Sequence, residues 1–433
     1  MKANPSKHDK IVEERGKGYG GMSKLDDLIK EYCPNGVEYK QIKDIATTYS
    51  GLSGKTKDDF GKGFGKFITY KDVYDNTHIF EPSGRVEITD KDKKQNRVCK
   101  GDLLVTTSSE TKQDSGHFGV YLREDEPYLN SFCFGIRLKI DRVSPEYLAY
   151  LLNSDDMHRL FVDKCVNGEI RYNVSKKQFL NLEIPIPPLP IQEYIVSILE
   201  PLESYTAELT AELTAELTLR KKQYKGILDK VMSEAPETRT MKDLILTHSK
   251  GTGITKKELT STGTPCLRYS KLHEDIPIGI ETTTTYTQEV KNSKWSGYGD
   301  LMIADASETI DGLGDGKVNL VGDILIGGDI INIKHNENPL YLGYAYEYAR
   351  KQLRRGQPLQ VQIFHCYAKD IEKLTIPYYP KEEQDKIAGY LSAIDNYTKD
   401  MQKGLPRVIE LYKQKYEYNL THIMSKLRRE NEQ

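Results

Sequence analysis

Long stretches with helical periodicity alternate with short β-rich runs along this chain. The most regular stretch is Thr206–Leu217, in which the sequence Thr-Ala-Glu-Leu occurs three times without a break. Ala, Glu and Leu are strong helix formers, so this stretch is predicted to be helical. Its leucines recur at every fourth position, about 40° apart on a helix of 3.6 residues per turn, and therefore form one apolar stripe. These leucines are Leu209, Leu213 and Leu217.

The repeated tetrapeptide is also a unit of length. Each copy lengthens a helix by about 6 Å, at a rise of 1.5 Å per residue. The repeat is therefore predicted to set the distance between whatever lies at the two ends of the helix. An ordinary amphipathic helix with a chance duplication is the alternative interpretation.

Self-similarity extends over the whole chain. Ile184-Pro185, Gln192 and Leu199 recur 192 residues later, as Ile376-Pro377, Gln384 and Leu391. The same offset persists to Met232-Ser233, whereas upstream motifs such as Gly-Asp-Leu-Leu recur at slightly larger offsets. The chain is therefore predicted to contain two related units in head-to-tail order. Their helices have equal length, and their globular parts differ in the lengths of loops.

Each unit has the same predicted plan. A globular part with short β-rich runs and a helix at Pro145–Phe161 leads into the proline-rich exit at residues 184–190, which is predicted to be extended and stiff. A helix of about 40 residues follows at Gln192–Ser233, and its counterpart is predicted at Glu382–Leu427. Such long helices need a partner, and the two copies are predicted to pair with each other in antiparallel orientation.

Prolines interrupt both helical patterns. Pro201 and Pro406 predict kinks or breaks.

The chain has 433 residues, a formal net charge of −2 and six scattered cysteines without metal-binding spacing. This cysteine pattern predicts reduced thiols and neither disulfides nor a zinc site. The sequence has no apolar run of the roughly 18 residues that a membrane span needs, and Met1–Gly21 reads as a flexible lead-in without a signal peptide.

Several stretches resemble catalytic motifs without completing them. Gly54-Lys55-Thr56 ends like a phosphate-binding loop, but the opening glycine is replaced by Tyr49. Asn338-Pro339-Leu340-Tyr341 approaches an adenine methyltransferase motif, but its repeat counterpart is a plain helix start. The glycine-rich segment at residues 61–65 is read as a mobile turn over DNA or solvent. We therefore predict no catalytic set and no metal site in this chain.

Taken together, these motifs resemble those of a type I restriction-modification specificity subunit. The resemblance rests on the Thr-Ala-Glu-Leu repeat with Arg220-Lys-Lys-Gln-Tyr224, the Ile-Pro-Ile-Pro-Pro-Leu exit, the duplicated Gly-Asp-Leu with Ser-Glu, and the opening at residues 23–39. It covers essentially everything after Met22. The resemblance implies an α+β or α/β fold with two target-recognition domains, separated by two long conserved helices that pair as an antiparallel coiled coil with pseudo-two-fold symmetry.

The resemblance also implies domain limits and partners. A lead-in would occupy residues 1–21, the target-recognition domains residues 22–190 and 234–381, and the conserved helices residues 191–233 and 382–433. The partners would be double-stranded DNA, two methyltransferase subunits and two restriction subunits in the cytoplasm. S-adenosylmethionine, ATP and Mg would belong to those subunits. The resemblance implies that the chain reads a split DNA target whose spacer length is set by the repeat number. The alternative function is a scaffold or DNA mimic that binds the same partners.

Candidate DNA contacts are basic and polar residues in predicted loops. Lys and Arg would mainly neutralise phosphates, whereas Arg, Asn, Gln and Ser can read base edges. In the first unit the candidates are Lys55, Lys57, Lys93, Lys94, Arg97, Ser108, Ser109, Lys112, Gln113, Arg171 and Asn173. In the second unit they are Lys256, Lys257, Arg268, Tyr269, Lys271, Ser307, Arg350, Arg354 and Arg355. For any single lysine, a solvated surface charge is the more ordinary interpretation.

Overall fold

The protein folds as two compact units. The computed structural model describes residues 24–288, 294–354 and 362–428. The first unit comprises residues 1–209 and 410–433, and the second comprises residues 210–409. Two helices of 45 residues, Leu189–Ser233 and Lys381–Ser425, each contribute one part to each unit. The lead-in at Met1–Gly21 lies outside the described residues, and the domain limits given above remain a prediction.

The first unit contains a five-stranded sheet with helices against it. Its helices are α1 (24–32), α2 (Ile42–Ile45), α3 (Tyr70–Asp75), α4 (Pro145–Asn153), α5 (Asp155–Cys165), α6 (Lys176–Leu180) and the first part of α7 (Leu189–Ser233). Its strands are β1 (Tyr39–Gln41), β2 (Ala46–Ser50), β3 (Phe60–Ile68), β4 (His78–Ile79), β5 (Gly84–Val86), β6 (Leu103–Thr106), β7 (Ser108–Ser109), β8 (Phe118–Tyr121), β9 (Tyr128–Leu129), β10 (Cys133–Leu138), β11 (Val166–Asn167), β12 (Tyr172–Val174) and β13 (Glu183–Pro185).

The strand order of this sheet is β2-β10-β6-β8-β4, with β4 parallel to β8 and the other neighbours antiparallel. The central strand β6 is wholly buried. Successive side chains of a strand point to opposite faces. Accordingly, Leu103 and Val105 belong to the main core, whereas Leu104 belongs to a smaller cluster. Both faces of the sheet are therefore covered, which explains why this run is apolar without alternation.

The second unit repeats this architecture. Its helices are the last part of α7, α8 (Met241–Leu244), α9 (Pro339–Ala349), α10 (Ala368–Glu372) and the first part of α11 (Lys381–Ser425). Its strands are β14 (Glu237–Thr240), β15 (Ile245–Lys250), β16 (Leu259–Thr260), β17 (Thr264–Leu267), β18 (Gly279–Ile280), β19 (Tyr286–Thr287), β20 (Lys294–Ser296), β21 (Leu301–Ala304), β22 (Ala306–Ser307), β23 (Gly316–Asn319), β24 (Ile324–Ile326), β25 (Ile330–His335), β26 (Phe364–His365) and β27 (Thr375–Tyr378). The sheet order β15-β25-β21-β23-β18 matches that of the first unit, which confirms the predicted internal repeat.

Both long helices are fixed near their first turn by a buried glutamine. The Gln192 side-chain amide donates to the carbonyl oxygen of Pro187, five positions earlier, at 2.6 Å. Its side-chain oxygen accepts from the Ser144 backbone N–H at 2.8 Å. Gln384 repeats this arrangement, with distances of 3.0 Å and 2.9 Å, the second from Asn338. Because Ser144 and Asn338 cap helices α4 and α9, each glutamine joins a long helix to its own globular part.

The two long helices pair within each unit. In the first unit, Leu199 of α7 and Leu420 of α11 are buried in one core cluster, and the rings of Tyr205 and Tyr412 meet edge to face at 6.2 Å. The beginning of α7 thus packs with the end of α11. This arrangement requires the two helices to run in opposite directions, as predicted.

In the second unit, the end of α7 packs with the beginning of α11. Met232 and Leu391 are buried in one core cluster, and the Arg220 guanidinium lies 5.9 Å from the Tyr397 ring centroid. The tetrapeptide repeat lies inside α7, and its leucines are half-buried, whereas Glu208 and Glu212 are exposed. The half-buried leucines are Leu209, Leu213 and Leu217.

Some predicted details are wrong. Helices α7 and α11 continue through Pro201 and Pro406, so neither proline breaks its helix, whereas a kink at either proline stays a prediction. Because the packing of an amphipathic face stabilises a long helix throughout its length, it offsets the loss of one backbone hydrogen bond. The proline-rich exit is shorter than expected, because α7 begins at Leu189. Pro190 fits into α7 because the first turn of a helix tolerates proline. The helix predicted at Pro145–Phe161 is two helices, divided at Ser154.

The glycine-rich segment at residues 61–65 is not a free turn. It lies inside strand β3, whose pairing with β5 shifts register between Phe60 and Gly65. Alternation of glycine with longer residues hides the strand pattern, because glycine has low strand propensity.

Among the helices that the structure describes, none is long and apolar enough to cross a membrane.

A buried carboxylate joins α7 to the globular part of the first unit. Glu203 accepts from Tyr150 at 2.8 Å and lies 2.9 Å from Nδ1 of His78. Burial alone would lower the pKa of His78, but the hydrogen bond and the charge of Glu203 outweigh it and raise this pKa. In the second unit Asp395 occupies the equivalent position and accepts from Tyr344 at 3.2 Å.

The pair of His78 and Glu203 should make the stability of the first unit depend on pH. A histidine with a raised pKa stabilises the fold fully below its ordinary value of 6.5, and this contribution is lost as pH rises through the folded pKa. The lowered pKa of Glu203 contributes stability above its ordinary value of 4.5. The pair should therefore be strongest between pH 4.5 and 6.5.

The measurement is urea unfolding of wild type and His78→Ala from pH 5 to pH 9. We expect the variant to lose about 1–3 kcal/mol at pH 6 and less at pH 9, because the lost hydrogen bond involves charged groups. His248→Ala is the control, since His248 is exposed and belongs to the second unit. A loss that does not change with pH would show that the ion pair contributes nothing.

Candidate nucleic-acid interface

The predicted polar residues of the first unit meet at one short strand pair. Ser108 and Ser109 form β7, where they lie opposite Asn173 and Tyr172 of β12. Arg171, just before β12, donates from Nε to the Ser108 hydroxyl oxygen at 2.9 Å. This bond leaves the terminal nitrogens of an exposed guanidinium in position to bind another partner. Two segments that are far apart in sequence, Ser108–Ser109 and Arg171–Asn173, thus form one cluster.

A cleft of about 410 Å³ lies beside this cluster. The Tyr70 hydroxyl donates to the Ser108 carbonyl oxygen at 2.9 Å, and the Arg171 guanidinium lies 5.6 Å from the ring centroid of Phe132. Phe132 is 51% exposed, so its ring is available for stacking. Besides these residues the cleft is lined by Tyr74, Ser109, Glu110, Thr111 and Asp114.

A second cleft, of about 570 Å³, shares Tyr70 with the first. It lies between β3, β5 and the loop after β9. Its lining carries cations and neutral polar groups and no acidic side chain. The lining residues are Phe60, Gly61, Phe67, Thr69, Tyr70, Lys71, Ser83, Gly84, Arg85 and Asn130. The two clefts meet at Tyr70, and we call their combined lining the recognition face.

The edge of the recognition face carries mixed charge. Lys112 lies 3.6 Å from Asp163, and Gln113 is exposed beside it. Behind the first cleft, burial and the neighbouring His158 lower the pKa of His117 to about 4. His117 is therefore neutral at physiological pH and adds no positive charge to this surface.

Two of the predicted basic residues are engaged inside the first unit. Lys55 donates to Asp92 and to the Glu87 carbonyl oxygen, both at 2.6 Å, and its side chain is only 6% exposed. Arg97 donates to a backbone carbonyl at 2.6 Å and lies 4.0 Å from the ring centroid of Tyr128. Both side chains have a structural role, which leaves them little capacity for DNA.

Other predicted lysines of this unit are exposed. Lys57 and Lys94 are exposed, and Lys93 lies 2.7 Å from Asp90 in an ion pair that is itself exposed. Exposed pairs of this kind are weak and are readily exchanged for another anion. These lysines therefore keep the capacity to neutralise phosphate.

The second unit has a larger cleft, of about 980 Å³, with compensated charge. Arg350 is 11% exposed and pairs with Asp315 at 2.9 Å and with Glu347 at 2.5 Å. Arg354 pairs with Asp311 at 2.6 Å. The arginines predicted from sequence as a basic cluster are therefore largely neutralised by acidic neighbours.

The remaining candidates of the second unit are divided between this cleft and the surface. Tyr269 and Ser307 line the cleft, and Ser307 lies in β22, the counterpart of β7. Lys271 pairs with Glu274 at 2.6 Å. The others are Lys256 and Lys257, which are exposed in a short 3₁₀ turn, and Arg268, which is half-buried. Arg355 lies outside the described residues.

The structure adds residues that sequence reasoning missed. Tyr70, Phe132 and Arg85 line the recognition face, although they come from a helix, a loop and a strand that are separate in sequence. The sequence offered no periodic signal for them, because only the fold brings them together. Across the described ranges, no group of three or more His, Cys, Asp or Glu side chains is arranged to hold a metal ion.

The contrast between Lys55 and Lys57 can be tested directly. We expect Lys55→Ala to lower the free energy of unfolding by about 1–3 kcal/mol, because it removes the cation from a nearly buried carboxylate. Lys57→Ala should change it by less than about 0.5 kcal/mol, since this side chain is exposed. The measurement is the urea midpoint of each variant, and equal midpoints would contradict the structural role of Lys55.

The chain is similar to proteins that carry the name of type I restriction enzyme specificity subunits. One from Haemophilus influenzae is 31% identical over 268 residues, which cover 58% of this chain and 66% of that protein. The MjaX specificity subunit of Methanocaldococcus jannaschii is 24% identical over 387 residues, which cover 84% and 88% respectively. This chain thus spans about two thirds of the first relative's length.

A solved structure and a family model agree with this likeness. The structure, from work on complex assembly and conformational transition of the type I R-M system, aligns with a TM-score of 0.62 at 16% identity and shares the fold over 90% of this chain and 98% of that chain. Residues 34–219 and 234–411 each match the model of the type I restriction modification DNA specificity domain. With the duplicated sheets and paired helices described above, the chain belongs to the type I restriction-modification specificity subunit family.

Proposed function

We propose that this chain is the DNA sequence-specificity subunit of a type I restriction-modification complex. It reads a bipartite DNA target with a spacer of fixed length, and it directs methylation and restriction subunits to that target. The observation that carries this proposal is the duplicated strand pair at the serine motif. Ser109 faces Tyr172 in the first unit, and Ser307 faces Phe364 in the second. Two equivalent surfaces in one chain suit two separate half-sites.

The recognition face has the chemistry that a reader of base edges needs. Arg171 and Asn130 offer hydrogen-bond donors of the kind that distinguish bases in the major groove. The exposed lysines can hold the phosphate backbone and fix the register of the protein on the duplex. A chain with a net charge of −2 can still bind DNA in this way, because only the charge that faces the phosphates matters.

The long helices offer a surface for partner subunits. Helix α11 carries large exposed side chains at intervals of seven residues, interrupted once by Gly404, which is the spacing of a helix-pairing seam. These side chains are Tyr390, Tyr397, Leu411 and Tyr418, with exposures of 54%, 55%, 57% and 67%. We propose that helices of two methyltransferase subunits pack there and near Arg220–Lys222, and that two restriction subunits complete a cytoplasmic complex.

In this proposal the chain has no catalysis of its own. S-adenosylmethionine, ATP and Mg act in the partner subunits, and this chain supplies position and sequence choice. A scaffold or DNA mimic that binds the same partners is the competing function, and it requires no DNA contact by the recognition face.

The test is to sequence native DNA for modified adenines in cells that carry this subunit with its methyltransferase partner. We expect a split motif with a fixed gap that disappears when the gene is deleted. Arg171→Ala should abolish or relax the half-site read by the first unit and leave the other half-site unchanged, because each unit reads independently. A continuous motif, or modification that does not depend on this chain, would favour the scaffold or mimic.

The repeat in α7 should set the spacer. Deleting one Thr-Ala-Glu-Leu unit shortens the helix by about 6 Å, so we expect the preferred gap to shorten by one or two base pairs while both half-sites stay the same. The measurement is the same modification map. As a control, Glu208→Gln changes charge and leaves the length unchanged, so the gap should not move. Altered half-sites with an unchanged gap would contradict a role in spacing.

A further inference from the structure

A four-residue bulge projects from strand β3 beside the recognition face. Phe60 and Gly65 both pair with Val86, so the residues between them lie outside the strand ladder. Gly61 and Gly63 have φ of 79° and 82°, a region that side chains other than glycine rarely adopt. The backbone therefore forms this projection at two positions where only glycine fits well, and the glycine-rich sequence serves to build it.

The bulge presents one large apolar side chain to solvent. Phe64 is fully exposed, with a relative accessibility of 104%, whereas Phe67 of the same strand is 4% exposed in a core cluster. A single exposed apolar residue is ordinary on a protein surface. Here, however, it follows Lys62, which is 58% exposed and whose pairing partner Glu87 lies 3.5 Å away and is also exposed. The bulge thus combines a free aromatic ring with a cation.

The same bulge is built a second time without the aromatic ring. In the second unit Leu259 and Thr264 both pair with Thr287, and Thr260 also pairs with Tyr286, so that residues 261–263, between β16 and β17, form the counterpart. The position 199 residues after Phe64 is Gly263, and the rest of this bulge is Thr and Ser. Since the second bulge forms without an aromatic residue, folding does not require Phe64. The ring is free to serve binding.

The position of the bulge indicates what it binds. Phe60 and Gly61 line the cleft that also contains Lys71 and Arg85, so the bulge borders the recognition face. Cations and the base of the bulge that carries Phe64 therefore lie at one cleft. Duplex DNA offers groups that complement both, with phosphates outside and stacked bases within.

We propose that Phe64 inserts between base pairs of the half-site read by the first unit, while Lys62 contacts a flanking phosphate. This inference rests on the proposed DNA-reading function. Apolar wedges of this kind partly unstack one base step and kink the duplex. Because pyrimidine–purine steps unstack most easily, the first unit should favour such a step at the insertion point. The second unit, with Gly263 at this position, leaves its half-site stacked there.

The test uses the full-length chain in complex with its methyltransferase subunit and duplexes that carry the mapped target. 2-Aminopurine is placed at successive positions of each half-site, away from the methylated adenine, and its fluorescence reports unstacking. We expect an increase on binding at one step of the half-site read by the first unit. Phe64→Ala should abolish this increase and weaken binding about 5- to 100-fold, as measured for other base–aromatic contacts.

Matched variants separate the wedge from other effects. Phe64→Trp should keep the fluorescence change, and Lys62→Ala should weaken binding and its salt dependence while the unstacking persists. Phe80→Ala removes another exposed phenylalanine of the same unit, 60% exposed, and should change neither readout. Thermal unfolding of Phe64→Ala should match wild type, because the ring is not packed.

The outcomes distinguish this inference from the function on which it rests. If Phe64→Ala binds the target with wild-type affinity and gives the same fluorescence increase as wild type, the wedge is wrong and the specificity function stands. If Phe64→Ala keeps its DNA affinity but no longer retains the methyltransferase subunit, the ring docks a protein and the wedge is wrong. If the wild-type complex binds no DNA, both proposals fail.

Discussion

The buried attachment of each long helix to its own globular part is the constraint on which the rest of the structure depends. Gln192 satisfies three backbone groups and Gln384 satisfies two. Tyr147 and Tyr341 donate to buried carbonyl oxygens of β13 and β27, the strands that precede the long helices, at 2.9 Å and 2.8 Å. Buried polar groups are costly unless they are paired, so these contacts allow one arrangement of helix and domain.

At the candidate binding surfaces, the pairing of opposite charges matters more than the number of basic residues. Sequence clusters of Lys and Arg suggest basic patches, but in the second unit Arg350 and Arg354 face Asp315, Glu347 and Asp311. Polar, aromatic and a few free basic side chains are left to meet a ligand. In the proposed function, such a surface gains little from long-range attraction to DNA and depends on short-range fit.

The two units share a scaffold and differ where it meets solvent. The strand order of the main sheet recurs, whereas the segment Gly-Lys-Gly-Phe at residues 61–64 is replaced by Thr-Ser-Thr-Gly at residues 260–263. The first unit has two small clefts and the second has a larger one. In the proposed function, a fixed core with variable loops lets each unit have its own specificity.

The internal repeat and the two long helices with their antiparallel pairing could be predicted from sequence, because periodicity and propensity are local properties. The sequence also indicated Ser108 and Arg171, but not that they form a hydrogen bond. Tertiary structure decided that Lys55 is structural, that Pro201 leaves its helix unbroken, and that residues 61–64 form a bulge. Each of these outcomes depends on partners distant in the chain, whose packing and charge outweigh local preference.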